Sequence, residues 1–166
     1  MMRGIALALS VMVASATSAA AQARDENLAL GAAGAQACAA HLPDARAMSK
    51  AMAAVGFQLK ESNGQLKLYT DPGMRVGVAF TTLRSSNGTS AETACFVAVD
   101  RMTPAQGRAL IQPWVQAANA RPVAPTRNMP DRWQGTFKGS TVLMGVLPTP
   151  HIPIIRGAAI VAAVPN

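Results

Sequence analysis

Two histidines, two cysteines and a late run of arginines are the side chains of this 166-residue chain whose types or spacing could do chemistry. His41 lies three positions before Asp44, a spacing that allows an acid–base pair. It also follows an alanine-rich stretch and precedes Pro43, so its ordinary role is to sit in an interhelical turn and satisfy a helix end. His151 falls in Pro148-Thr149-Pro150-His151-Ile152-Pro153, a loop, and loops often carry function; loop packing is its plainer role. No G-x-S-x-G, H-E-x-x-H, S-x-x-K or phosphate-cradling glycine loop accompanies either histidine. An enzyme would have to assemble its site from dispersed residues such as His41, Asp44, Glu92 and His151. No catalytic residue and no cofactor is assigned.

Cys38 and Cys95 are the whole cysteine complement. They lack C-x-x-C spacing, which points away from a redox centre and towards one structural bridge in an oxidising compartment. Closing the loop between them stabilises the fold by about 4 kcal/mol on the chain-entropy account. Methionine thioethers suit Cu(I), but Met48 and Met52 share an apolar helical face, and Met74, Met102, Met129 and Met144 are scattered. Core filling explains them, and no metal is assigned.

The formal net charge is +7, and it is unevenly placed. From Arg24 to Asp100 basic and acidic residues balance; from Arg101 onward seven basic residues face Asp131 alone. Six of those seven are arginine, whose planar fork suits phosphates and carboxylates. Such asymmetry can steer anionic partners; the competing explanation is a compositional arginine bias that only solvates the surface. Arg121, Arg127, Arg132, Lys138 and Arg156 are the candidate binding residues. The first four are expected near one another, because a proline connector leads directly into a strand and its turn. Few aromatics and no recognisable motif point away from nucleic acid.

The first residues carry an address. Arg3 precedes an apolar run from Gly4 to Val13, and small residues follow to Ala23, offering A-x-A sites after Ala21 and after Ala23. The apolar core is about ten residues, short of the roughly 20 a spanning helix needs. Residues 1–23 are therefore expected to be a cleaved signal peptide, and the alanine and arginine bias suggests a bacterial periplasm. Residues 24–166 are the size of one domain. With charged residues at 14% and apolar ones at 50%, the chain should fold rather than stay disordered. The apolar stretch Val142 to Val164 is long enough to span a membrane, but its prolines would leave backbone groups unsatisfied in lipid. Two buried strands fit it better, with a peripheral apolar contact at Ile152 to Ile155 as a further use.

These features must be positioned by a mixed architecture. Ala29 to Ala40 should be helical, weakened by Gly31 and Gly34. A second helix should begin at Pro43 with Asp44 in its first turn. Met48, Ala51, Met52 and Val55 form its apolar face, and Gly56 is its cap. Four strand-like runs follow: Phe57 to Glu61, Gln65 to Thr70, Arg75 to Leu83 and Glu92 to Val99. Turn chemistry separates them at Ser62-Asn63-Gly64, Asp71-Pro72-Gly73 and Asn87-Gly88. Thr103-Pro104-Ala105-Gln106 starts a third helix with a capping box, which Pro113 should kink or split. Arg121 to Pro130 reads as an extended connector. Arg132 to Phe137, Ser140 to Leu147 and Gly157 to Val164 read as three more strands.

The expectation is an α+β domain: an antiparallel sheet, built from a four-strand meander plus three C-terminal strands, with two to three helices on one face and one disulfide. Residues 43–99 and 103–164 form two helix-then-meander halves. The function expected is binding of an anionic envelope component or acidic protein through the basic second half. The alternatives are the dispersed-site enzyme and a structural subunit of an envelope assembly that makes contact through Pro148 to Pro153.

Overall fold

The computed structural model describes residues 4–84, 91–148 and 155–165, with side chains described for residues 19–82, 92–148 and 155–165. Asn87, Gly88, His151 and Ile152 lie outside the described residues. The fold is α+β: the described residues form three helices and one eight-stranded antiparallel sheet.

The first helix, α1, spans Gly4–His41, well beyond the Ala29 to Ala40 read from composition. Residues 19–26 are all exposed, and packing begins at Asn27 and Leu28. From there Gly31, Gly34, Ala35, Ala37 and Cys38 turn a narrow, small-residue face onto the sheet. A Cβ on Gly31 would meet Val99 Cγ2 at 2.5 Å. The glycine that costs helix propensity is thus what lets the helix approach the strands.

The second helix, α2, spans Ala45–Ala54. Asp44 is its N-cap, not a residue of its first turn: the carboxylate accepts from Arg46 N at 2.9 Å and Ala47 N at 3.0 Å, two of the donors a helix start leaves unpaired. Met48 and Met52 are fully buried, and Ser49 Oγ lies 2.7 Å from the Tyr69 hydroxyl, so α2 reaches the sheet through one face. Gly56 follows with φ +90°.

Four strands then form a meander: β1 (Gln58–Asn63), β2 (Leu66–Thr70), β3 (Val76–Arg84) and β4 (Ala91–Val99). The Asp71 turn is built by its own carboxylate, which accepts from Gly73 N, Arg75 N and Val76 N at 2.7–2.8 Å. The third helix, α3, spans Pro104–Ala117 behind the Thr103–Gln106 capping box. It runs through Pro113 without splitting. Pro113 is exposed, so the carbonyl that loses its partner faces water, and Ile111, Trp114 and Val115 stay buried on the other side.

The connector then departs from a purely extended run. Arg121–Pro122 form a short strand, β5, paired with β6 (Asp131–Phe137); β7 (Ser140–Leu147) and β8 (Ala159–Pro165) complete the sheet. The strand order is β1-β2-β3-β4-β8-β7-β6-β5. The two meanders therefore join through their last strands, with Cys95 opposite Ala162. Alternation along β3, β4, β7 and β8 sends Val78, Val97, Val99, Met144, Val146 and Ile160 to the helix side, where one core forms with Ile111, Trp114 and the α2 methionines. Trp133 packs half-buried against that core. Among the described residues, no helix is long and apolar enough to cross a membrane.

Candidate functional site

The face of the sheet away from the helices holds the most chemically varied surface. Register fixes its layout. Ala79, Phe96, Val161, Gly145 and Arg132 stand in one row across five strands. Thr81, Ala94, Ala163, Leu143, Gln134 and Arg121 stand in the next. Side chains two apart on a strand share a face, so Glu92, Pro165 and Thr141 continue the pattern one row further on. Ala94, Ala98 and Ala159 are fully buried here, and small residues keep the middle of the face low. Met129 closes over Gly145, the position where a Cβ would collide with its sulfur. Ile155 packs with Ala98 and Ala159.

Between β4 and β6 this face dips into a depression of about 270 Å³ lined by Glu92, Arg132, Gln134, Thr141, Leu143, Ala163 and Pro165. Arg132 is half-buried, and its Nη1 donates to the Ala124 carbonyl at 3.0 Å, which fixes the guanidinium against the connector. Its Nε is enclosed and has no hydrogen-bond partner. An unsatisfied buried donor costs about 1–3 kcal/mol, so this fork is held with part of its bonding capacity unspent.

Two of the five cationic candidates, Arg121 and Arg132, share this face of the sheet, and a third, Arg127, lies in the connector between them. Arg121 sits on β5 opposite Gln134, and Arg127 lies in the tight turn closed by Thr126 and Met129, whose backbones exchange bonds of 3.0 and 3.1 Å. Both are exposed. Asp131, the one carboxylate after Arg101, is engaged by Arg108 at 2.8 Å. Among the described residues Arg121, Arg127 and Arg132 make no ion pair. Lys138 does not join them. It occupies the β6–β7 hairpin tip, six residues along the strand from Arg132, about 20 Å at the usual rise. There it donates to the Ala40 carbonyl at the end of α1 and lies 5.3 Å from the Phe137 ring centre. Arg156 lies elsewhere, in the segment before the interior strand β8, its carbonyl accepting from Arg101 N.

Among the described residues the acid–base candidates do not form one site, although His41 and Asp44 are neighbours at the α1–α2 turn. The Asp44 carboxylate is committed to the α2 amides, and the bonds from Ala47 and then Arg46 hold its pKa below the ordinary 3.8, helped by the charges of His41 and Arg46. A carboxylate so stabilised is a poor base. His41 is half-buried on the helix side, whereas Glu92 lies on the opposite face of β4, and His151 is outside the described residues. Among the described residues no three His, Cys, Asp or Glu side chains converge as a metal site. A gap of about 30 Å³ between α1, α3 and β6–β8 is lined only by apolar groups, among them Leu42, Trp114 and Met144. It is the size of one water molecule and has no polar partner to hold one. An open groove at Gly73–Arg75 and Asp100–Arg101 has no enclosed polar group.

Sequence reasoning singled out Arg132 but missed Gln134, Thr141 and the role of Glu92. Their shared parity was readable in each strand; the neighbouring of β4 with β8 was not. Known protein families, curated proteins and solved structures offer no match to this chain.

Proposed function

We propose that this chain is exported and works outside the cytoplasm as a binding domain, rather than an enzyme, for an anionic envelope component or acidic protein. The surface it uses is the β5–β6 edge and the connector before it. The observation that supports this reading is that Arg121 and Arg132 share one face of the β5–β6 edge, with Arg127 in the connector between them, and that none of the three makes an ion pair among the described residues, Asp131 being engaged by Arg108. Cations without partners interact with solution anions over a Debye length of about 10 Å at 0.1 M salt, and arginine offers paired donors to phosphate or carboxylate.

Two further features support the reading. The Cys38–Cys95 bridge suits an oxidising compartment, and residues 19–23, next to the expected cleavage points after Ala21 or Ala23, are exposed. Strand addition at the sheet margins is disfavoured: β1 is wholly exposed but carries a register shift between Leu59 and Glu61, and β5 is two residues long and ends in proline. Both are ways of blunting an edge. Side chains, not backbone, are then left to meet a partner.

The test is co-sedimentation of the purified domain with phosphatidylglycerol vesicles and, separately, retention on immobilised polyglutamate. Arg121→Glu/Arg127→Glu should abolish whichever interaction the native protein shows at low salt, with the melting temperature unchanged. Equal binding by native and double-variant protein, or no binding to either material at any salt, contradicts the proposal.

A further inference from the structure

From the depression between β4 and β6 we infer a site for a small zwitterion, a ligand with a carboxylate at one end, an ammonium at the other and an apolar middle. This inference deepens the binding-domain reading and rests on it. Arg132 and Glu92 stand at opposite corners of the depression, separated by three strand spacings and four residues along the strands, so only the longer members of such a series can reach both. With strands about 4.8 Å apart this places one cation and one anion diagonally across a floor of Ala163 and Leu143.

Each corner has a defined use. The Arg132 guanidinium is oriented in advance by its bond to the Ala124 carbonyl, so a carboxylate that approaches from the depression meets a group that need not be ordered first. Gln134 and Thr141 flank it with further donors. Glu92 is exposed and would repel a simple anion laid along the depression, but it completes the site for a ligand that ends in an ammonium. Leu143, Ala163 and Pro165 accept methylene groups between the charges. The volume of about 270 Å³ lies near the lower end of small-molecule sites, which excludes a bulky polymer from the depression itself.

The experiment is an NMR titration of the intact domain with glycine, β-alanine, 4-aminobutyrate and 6-aminohexanoate, each compared with the carboxylate of equal length lacking the amine. One member of the series should produce saturable shifts at Gln134, Leu143 and Ala163 and bind at least tenfold tighter than its plain carboxylate. Glu92→Gln should weaken that zwitterion about tenfold and leave the plain carboxylate unaffected or tighter. Gln134→Glu, an exposed change that spares the fold, should weaken both. No saturable shift with any zwitterion overturns the inference, as does a zwitterion that binds no better than its carboxylate and ignores Glu92→Gln. The second result leaves the anion-binding proposal standing. Absence of vesicle and polyglutamate binding by the native protein at any salt would fail that reading separately.

Discussion

Cys38 and Cys95 stand with their Cα atoms 6.1 Å apart, joining the last turn of α1 to the centre of the sheet, and both side chains are fully buried. The spacing is within the range a disulfide spans without backbone movement. The bridge closes a 57-residue separation that includes α2 and the first three strands. Cys38→Ala/Cys95→Ala should therefore lower unfolding stability by about 4 kcal/mol, measured by urea denaturation. Thiol labelling of unreduced, denatured native protein should detect no free cysteine; full labelling would refute the bridge.

Asp44 links stability to pH. Its folded pKa is lowered by the Ala47 and Arg46 amides, so its charge contribution is present above the unfolded pKa and is lost as pH falls through the folded value. Below pH 4 the native protein should lose this contribution. Asp44→Asn keeps an N-cap acceptor but has no charge to titrate, so its melting temperature should fall less steeply over the same acid range. Parallel acid profiles for the two proteins would count against the capping account.

Gly157 has φ +130°, and a Cβ there would meet Met102 N at 2.6 Å. Gly56 has φ +90° with nothing within 4 Å of a Cβ. Both substitutions to alanine put a side chain in a conformation it adopts at a cost of about 1–2 kcal/mol. Gly157→Ala adds a backbone collision where Arg101 N and Ala158 N bond across the β4–β8 entry. It should destabilise clearly more than Gly56→Ala in denaturant titrations. Equal losses would show that the close approach at Gly157 is relieved elsewhere.

Local signals in the chain translated directly into elements. Thr103 and Gln106 form the reciprocal cap their spacing implies, Asn63 closes its turn by accepting from Leu66 N at 3.0 Å, and alternation through Val76, Val78 and Phe80 assigns the buried face of β3. What went unread was non-local. Composition starts α1 at Ala29, because residues 1–23 read as a leader, whereas the helix runs from Gly4; the close contact of Gly31 with Val99 is likewise invisible to propensity. Pro113 was expected to interrupt α3, but its lost hydrogen bond is on the solvent side. The depression joins Glu92 to Arg132 only through the order β4-β8-β7-β6, which no periodicity encodes. Lys138 was grouped with Arg132 by chain proximity, although an extended strand carries neighbours in sequence far apart in space.

The central claim, that the β5–β6 edge with its connector is an anion-binding surface, is tested most directly by mapping amide shifts while polyglutamate is titrated into labelled native protein at low salt. The account predicts shifts confined to residues 121–134, including Arg121, Arg127 and Arg132, that collapse as salt approaches 1 M, where the Debye length is about 3 Å. Shifts spread evenly over all exposed cations, with Lys138 and Arg156 responding as strongly as Arg127, would contradict it.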